Sequence, residues 1–356
     1  MRVLITASPI PDHLHNLVPL AWAARTAGHE VCVAGRPELA EVTKNSGLTS
    51  VSVPAGEGSS GIPDLSEGDP AALAAYVAAI DPVLVDGLVE YGRAWKPDLV
   101  LWDARSHAGA LLARTVGAAH VRVLAEPDHL ARFPDPGPLA ARLAELAGDH
   151  EHGDDLLFGQ ATIDPLPEWL RVPSGLDRRP MRHVPHHGQT VIPSWLRRTP
   201  RRPRVCLVPG PDQPVAEVLG ALADLNVEVI AELPADRVPA GVDLPDNVRI
   251  FDSLPLDPLL PSCAVIVHDG RISTLNAAVV HGVPQLVTGG SSWVTERLEE
   301  QSAGLAGTAG TLAGDLARLL DDPALRDGAE RAQKEMLSAP SPHDIVPGLE
   351  KLAARR

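Results

Sequence analysis

One stretch, Leu254 to Leu286 (LPLDPLLPSCAVIVHDGRISTLNAAVVHGVPQL), constrains the fold more than any other part of the chain. Ala264 to Val267 is a short apolar run rich in β-branched residues, the pattern of a buried parallel strand. His268-Asp269-Gly270 breaks it. Ser273 or Thr274 can then N-cap a helix through Val280, which Gly282 and Pro284 stop. A helix that begins where a parallel strand ends aims free backbone N–H groups at whatever lies above the sheet, commonly a phosphate.

The same alternation runs along the whole chain. Arg2 to Ala7 reads as a first buried strand, followed by the loop SPIPDHLHN, a helix from about Leu17 to Ala27 and a strand Glu30 to Ala34. This is a βαβ opening, but the loop lacks the GxGxxG of a dinucleotide site. Further strands are expected at Leu48 to Val53, within 95–104 and at His120 to Leu124. Helices are expected over Ala71 to Ala94, Ala108 to Val116 and near Pro138–Ala147. Gly56 to Asp69 reads as a surface loop. Residues 161–196 are dense in proline and aperiodic, as in a linker. A second α/β run starts at 204–210, with a helix near Val215–Leu225 and strands at 227–233 and 247–254. Helical stretches follow at Leu298 to Gly304 and Ala313 to Leu320, and an amphipathic tail at Asp344 to Arg356. The fold class is therefore α/β.

Composition narrows the function. A formal charge of −15 disfavours unspecific nucleic-acid binding, which needs basic surface. No run approaches a membrane span, and MRVLITA enters a strand with no signal peptide, so a cytoplasmic, membrane-free protein is expected. Cys32, Cys206 and Cys263 sit in apolar, strand-like contexts and read as buried free thiols. Ser8, Cys206 and Cys263 lack a nucleophile-elbow or redox setting. His150-Glu151-His152 and His186-His187 lack the companion ligands of a metal site, so no metal is expected.

Several blocks resemble one family. The pattern VPL-x-x-LLP-x-C, HHGGAGT, GVPQLV is the donor-site signature of GT-B, family 1 glycosyltransferases of natural-product (macrolide-type) biosynthesis. This chain has LPLDPLLPSC, HDGRIST and GVPQLV. The opening SPIPDHLHNLVPLAWAARTAGHEV is similar to the family's SPGxGHLFPLVPLAWALRAAGHEV, with Ile10, Asp12 and Asn16 in place of two glycines and a proline. The resemblance covers nearly the whole chain. It implies a GT-B fold: two facing Rossmann-like, doubly wound domains with a cleft between them. The implied layout is an acceptor domain over 1–185, a linker over 186–203, a nucleotide-sugar domain over 204–340, and a C-terminal helix, 341–356, crossing back to the first domain.

The resemblance also implies chemistry: inverting transfer of a sugar or deoxysugar from a TDP- or UDP-linked donor to a hydroxyl of a hydrophobic aglycone. No cofactor is needed beyond that co-substrate, the partners are small molecules rather than nucleic acid or membrane, and a homodimer is compatible with it. His13 corresponds to the general base, a role that suits a side chain titrating near neutrality. Asp103, at a strand end in VLWDA, corresponds to the carboxylate that orients that base; it could instead cap the helix at Ala108, and His15 is a substitute base. On the donor side, Leu254 and Pro255 correspond to the base-packing positions. Gly210, His268, Gly270, Arg271, Ser273, Thr274 and Gln285 correspond to the diphosphate seat, with His268 donating to a phosphate oxygen and Gln285 either joining the seat or bracing the turn.

The donor side also departs from the pattern. Gly210-Pro211-Asp212 replaces GTS, removing an N–H and adding a negative charge. Arg271 and Ser273 replace glycines, Asp269 replaces the second histidine, and TGGSSWVT (Thr288 to Thr295) lacks the acidic sugar-binding element. Arg271 either clamps phosphate or plugs the pocket, paired to Asp212 or Asp269. A second reading follows: the scaffold is kept and sugar transfer lost, with His13 serving another acid/base reaction, such as a cyclisation or isomerisation. A third is a non-catalytic partner of a glycosyltransferase.

Overall fold

The computed structural model describes all residues except 57–71, 73–74, 77–79, 81, 133–136, 149–154, 190, 239–243, 254–255 and 356. The Gly56–Asp69 loop beyond its first residue, His150 to His152, Leu254 and Pro255 therefore lie outside the described residues.

The chain divides into two compact units. One holds residues 1–166, 171–189 and 339–356; the other holds 167–170 and 190–338. The first unit carries a seven-stranded sheet. Its strands are β1 (Arg2–Thr6), β2 (Glu30–Gly35), β3 (Thr49–Ser52), β4 (Leu99–Asp103), β5 (Ala119–Val123), β6 (Thr162–Asp164) and β7 (Arg178–Pro180), in the order β3-β2-β1-β4-β5-β6-β7. The second carries six: β8 (Arg204–Val208), β9 (Glu228–Glu232), β10 (Val248–Phe251), β11 (Val265–His268), β12 (Gln285–Val287) and β13 (Gly304–Ala306), in the order β10-β9-β8-β11-β12-β13. All described pairings are parallel, with Ile5 opposite Leu101 and Val208 opposite His268.

Every residue of β4, β5, β8 and β11 is buried, as expected of strands with helices on both faces. In each unit the strand order reverses once, between β1 and β4 and between β8 and β11. The carboxyl ends of those strands are where α/β sheets bind ligands. His13 and Asp103 stand at the first switch point, and Gly210 and His268 at the second.

The helix after β1 spans Pro11–Thr26, so the expected start near Leu17 is too late and His13 lies in its first turn rather than in a loop. Pro11 occupies the position where a missing N–H costs nothing, and Asp12 favours the amino end of the dipole. Leu14, Leu17, Val18, Ala21 and Ala24 bury one face in the core, which carries the helix through Pro19. Residues 161–196 are not linker throughout: β6 and β7 add to the first sheet. Residues 298–304 are not one helix. A helix covers Ser292–Glu300, and Gly304 opens β13. The helix Pro323–Ser338 escapes the sequence reading altogether. At the end, Ser341 and Asp344 form a capping box for the helix Pro342–Ala353, whose Ile345 and Leu349 complete the core of the first unit.

Candidate active site

Strand β4 ends at Asp103, whose side chain is 1% exposed. Such a buried carboxylate must be paired, and two partners pair it. His13 Nδ1–H donates to its Oδ1 at 2.8 Å. On the other oxygen, Ser8 donates twice to Oδ2, from its backbone N–H at 3.1 Å and from its hydroxyl at 2.5 Å. Asp103 does not cap the following helix, whose N-cap, His107, makes no side-chain cap bond. With Nδ1 committed to Asp103, the ring nitrogen left for other chemistry is Nε2.

Burial pushes the His13 pKa down, but the charge and hydrogen bond of Asp103, helped by Glu126, outweigh it and leave the pKa raised. Burial pushes Asp103 up, yet His13 and the two Ser8 bonds hold it well below the usual carboxylate range. The site thus favours an imidazolium beside a carboxylate, the state a general base reaches after taking a proton.

Sequence reasoning missed several neighbours. Ser8, set aside in the sequence for want of a nucleophile-elbow setting, is a double donor to Asp103, and the signal for that is its place after the carboxyl end of β1, beside β4. Arg105 Nε and Nη2 grip the two oxygens of Glu126 at 2.5 and 2.7 Å, setting an ion pair near His13. Asn16 Nδ2 donates to Leu124 O at 2.6 Å and ties the helix to the end of β5. His15 sits edge-on to His186, ring centroids 5.3 Å apart, with its pKa lowered chiefly by burial.

In the second unit, the loops after β8, β11 and β12 meet. Gly210 lies so close to Asp269 that an added Cβ would stand 2.8 Å from its Cβ. Gly270 has φ +87°, and a Cβ there would meet Gly289 O at 2.6 Å. Glycine is required at both places. Gln213 and Arg237, also missed from sequence, knit the turn. Gln213 accepts from Gly210 N at 3.3 Å and donates to Thr288. Arg237 donates to Pro209 O at 3.1 Å and to Gly210 O.

The helix after β11 spans Ile272–His281 with Arg271 as N-cap, so neither Ser273 nor Thr274 caps it. Thr274 is buried in its first turn. His268 is fully buried, and both ring nitrogens are engaged: Nδ1 accepts from Gly270 N at 3.1 Å, which leaves Nε2–H to donate to Gln285 Oε1 at 2.9 Å. Burial lowers its pKa to about 4, so the ring is neutral. The expected donation from His268 to phosphate therefore has no free N–H behind it here; the ring and Gln285 brace the turn. Arg271 Nε pairs with Asp269 at 3.0 Å, and its side chain is 54% exposed. Among the described residues, no group of three or more His, Cys, Asp or Glu side chains is placed to hold a metal.

The chain matches the model of the erythromycin biosynthesis protein CIII-like N-terminal domain over residues 68–210 and that of the C-terminal domain over 216–352. It is 36% identical to 3-alpha-mycarosylerythronolide B desosaminyl transferase of Saccharopolyspora erythraea, covering 100% of this chain and 99% of that one. It is 35% identical to aclacinomycin-T 2-deoxy-L-fucose transferase of Streptomyces galilaeus, covering 99% and 96%. Among solved structures, glycosyltransferase VinC in complex with dTDP superposes with a TM-score of 0.93 at 36% identity, over 100% of both chains. The GT-B architecture of that match and the two doubly wound sheets agree, and the chain is a glycosyltransferase of the erythromycin biosynthesis protein CIII-like family.

Proposed function

We propose that this chain moves a deoxysugar from a TDP-linked donor to a hydroxyl of a hydrophobic natural-product aglycone, with inversion at the anomeric carbon. Full-length relatives named for transfer of deoxysugars to an erythronolide and an aclacinomycin support the reaction class, and the dTDP complex of VinC supports the nucleotide. The observation that carries the mechanism is the buried 2.8 Å contact between His13 and Asp103. His13 Nε2 takes the proton as the acceptor oxygen attacks the anomeric carbon. The new C–O bond forms on one face as the bond to the β-phosphate oxygen breaks on the other, and TDP leaves with the electron pair. Asp103 holds the tautomer and steadies the imidazolium.

The seat for the diphosphate is the first turn of the helix Ile272–His281, with Gly210, Gly270, Arg271, Ser273 and Thr274 around it, braced by His268 and Gln285. No described helix is long and apolar enough to cross a membrane, and we place the reaction in the cytoplasm on small-molecule substrates, without metal. The test is turnover of TDP-deoxysugars with macrolide and anthracycline aglycones by the wild type and His13→Ala. The variant should lose roughly 10²- to 10⁴-fold in kcat and still bind dTDP. Full turnover by His13→Ala, or a product of retained anomeric configuration, would overturn the mechanism.

A further inference from the structure

Ser8 lies in the turn after β1, is 3% exposed, and spends both its backbone N–H and its hydroxyl on one oxygen of Asp103. Nothing in the transfer chemistry requires Ser8 to touch substrate. Its position nevertheless decides which way the Asp103 carboxylate faces. Two donors on Oδ2 leave Oδ1 as the oxygen presented to His13, and they come from a backbone segment that β1, paired to β4 along its length, holds in register. Resting on the reading of His13 as the base, we infer that Ser8 is the positioning residue of a Ser8–Asp103–His13 relay, fixing the carboxylate so that His13 keeps its proton on Nδ1 and offers Nε2 to the acceptor.

A structural tie between two strand ends would make the same bonds, so the test must read the base itself. The charged or titratable groups facing His13 are Asp103, Glu126 and Arg105, with Asp12 and His15 on its own helix and Tyr76 beyond Asp103. None of these changes when only the Ser8 hydroxyl is removed. Removing it returns charge to the carboxylate and loosens its rotation. The first effect strengthens the hold on the imidazolium and moves the acid limb of the pH–kcat profile to higher pH. The second lowers the plateau.

The experiment compares Ser8→Ala, Ser8→Thr and His13→Ala in the full chain, with TDP-sugar and acceptor varied in turn. Ser8→Ala should lose roughly 10-fold in plateau kcat, keep both KM values within about 2-fold, and shift its acid limb upward, while Ser8→Thr recovers the plateau. If Ser8→Ala does not fold, Ser8→Cys, a weaker donor of similar shape, carries the same expectation. An unshifted acid limb with kcat within 2-fold of wild type, or no recovery by Ser8→Thr, overturns the relay. If His13→Ala itself turns over normally, the reading of His13 as the base fails instead, and the two failures are distinct.

Discussion

Asp103→Asn removes one charge and keeps the shape of the side chain, so it isolates what the carboxylate does. The imidazolium and carboxylate charge centres are about 4 Å apart, and at an effective dielectric near 20 their attraction is about 4 kcal/mol, or nearly 10³-fold in rate. The neighbours make the change worse than a lost charge. Ser8 N–H is a fixed donor 3.1 Å from Oδ2, so the amide must turn its oxygen toward Ser8. Its NH₂ then faces His13 Nδ1, which has to become an acceptor. The proton moves to Nε2, the nitrogen that should receive one from the acceptor hydroxyl. The expected loss in kcat is therefore about 10³-fold or more, with little change in dTDP affinity, and residual activity should show an acid limb displaced to lower pH. Product formation followed chromatographically from pH 5 to 9, beside thermal melts to confirm folding, provides the assay. A variant within 10-fold of wild type, or one whose acid limb does not move, would refute the argument.

Stability should carry the same signature. A raised His13 pKa contributes stability that is fully present below the unfolded value of about 6.5 and fades as pH rises through the folded value. The melting temperature of wild type should accordingly lose ground to His13→Ala as pH is raised through neutrality, and a constant difference would contradict the pairing. Asp103 works in the opposite sense, its contribution present above the unfolded carboxylate pKa and lost as pH falls toward its depressed folded value. Gly270→Ala forces a Cβ into Gly289 O at 2.6 Å with φ +87°; it should cost about 1–3 kcal/mol in denaturant unfolding of the second unit and weaken dTDP binding in calorimetry. Leu349→Ala empties a fully buried position under the C-terminal helix and should cost about 2–5 kcal/mol in the first unit without touching dTDP affinity.

The parallel strands were legible because their two-sided burial writes continuous apolar runs into the sequence, as in VLITA and AVIVH. Strands β6, β7, β12 and β13 were not, because three residues are too few to show a pattern and β7, at the sheet edge, is Arg-Arg-Pro. The start of the first long helix was obscured by Pro11, Asp12, Asn16 and Pro19, all turn-favouring residues whose local preference loses to the packing of Leu14, Leu17 and Leu20. The helix Pro323–Ser338 has its buried residues, Leu325, Ala329, Ala332 and Met336, at helical spacing, but charged neighbours and alanines dilute the signal. His13 and Asp103 could be paired in advance because the family resemblance pairs them, and their places at the ends of two strands of one sheet made the contact reasonable. Ser8 could not be assigned, because its role depends on a partner 95 residues away and on which oxygen of that partner it meets.

The donor turn shows how two departures from a familiar pattern can offset each other. Asp269 alone would set a negative charge beside the helix end where the diphosphate is expected, opposing the pull of the helix dipole. Arg271 alone would put a long cation where the pattern has glycine. Together they form a 3.0 Å ion pair that leaves the turn close to electrically neutral, as the two uncharged residues they replace would. With the Arg271 side chain half exposed, the pair contributes no more than about 1 kcal/mol to stability, so little holds the guanidinium in place. A diphosphate offers it more negative charge than a single carboxylate supplies, in the same bidentate geometry. A guanidinium carries five donors, so Arg271 can reach a phosphate and still hold Asp269, which would otherwise stand as a largely buried, unpaired carboxylate beside the diphosphate; on that ground we propose that Arg271 is a clamp rather than a plug.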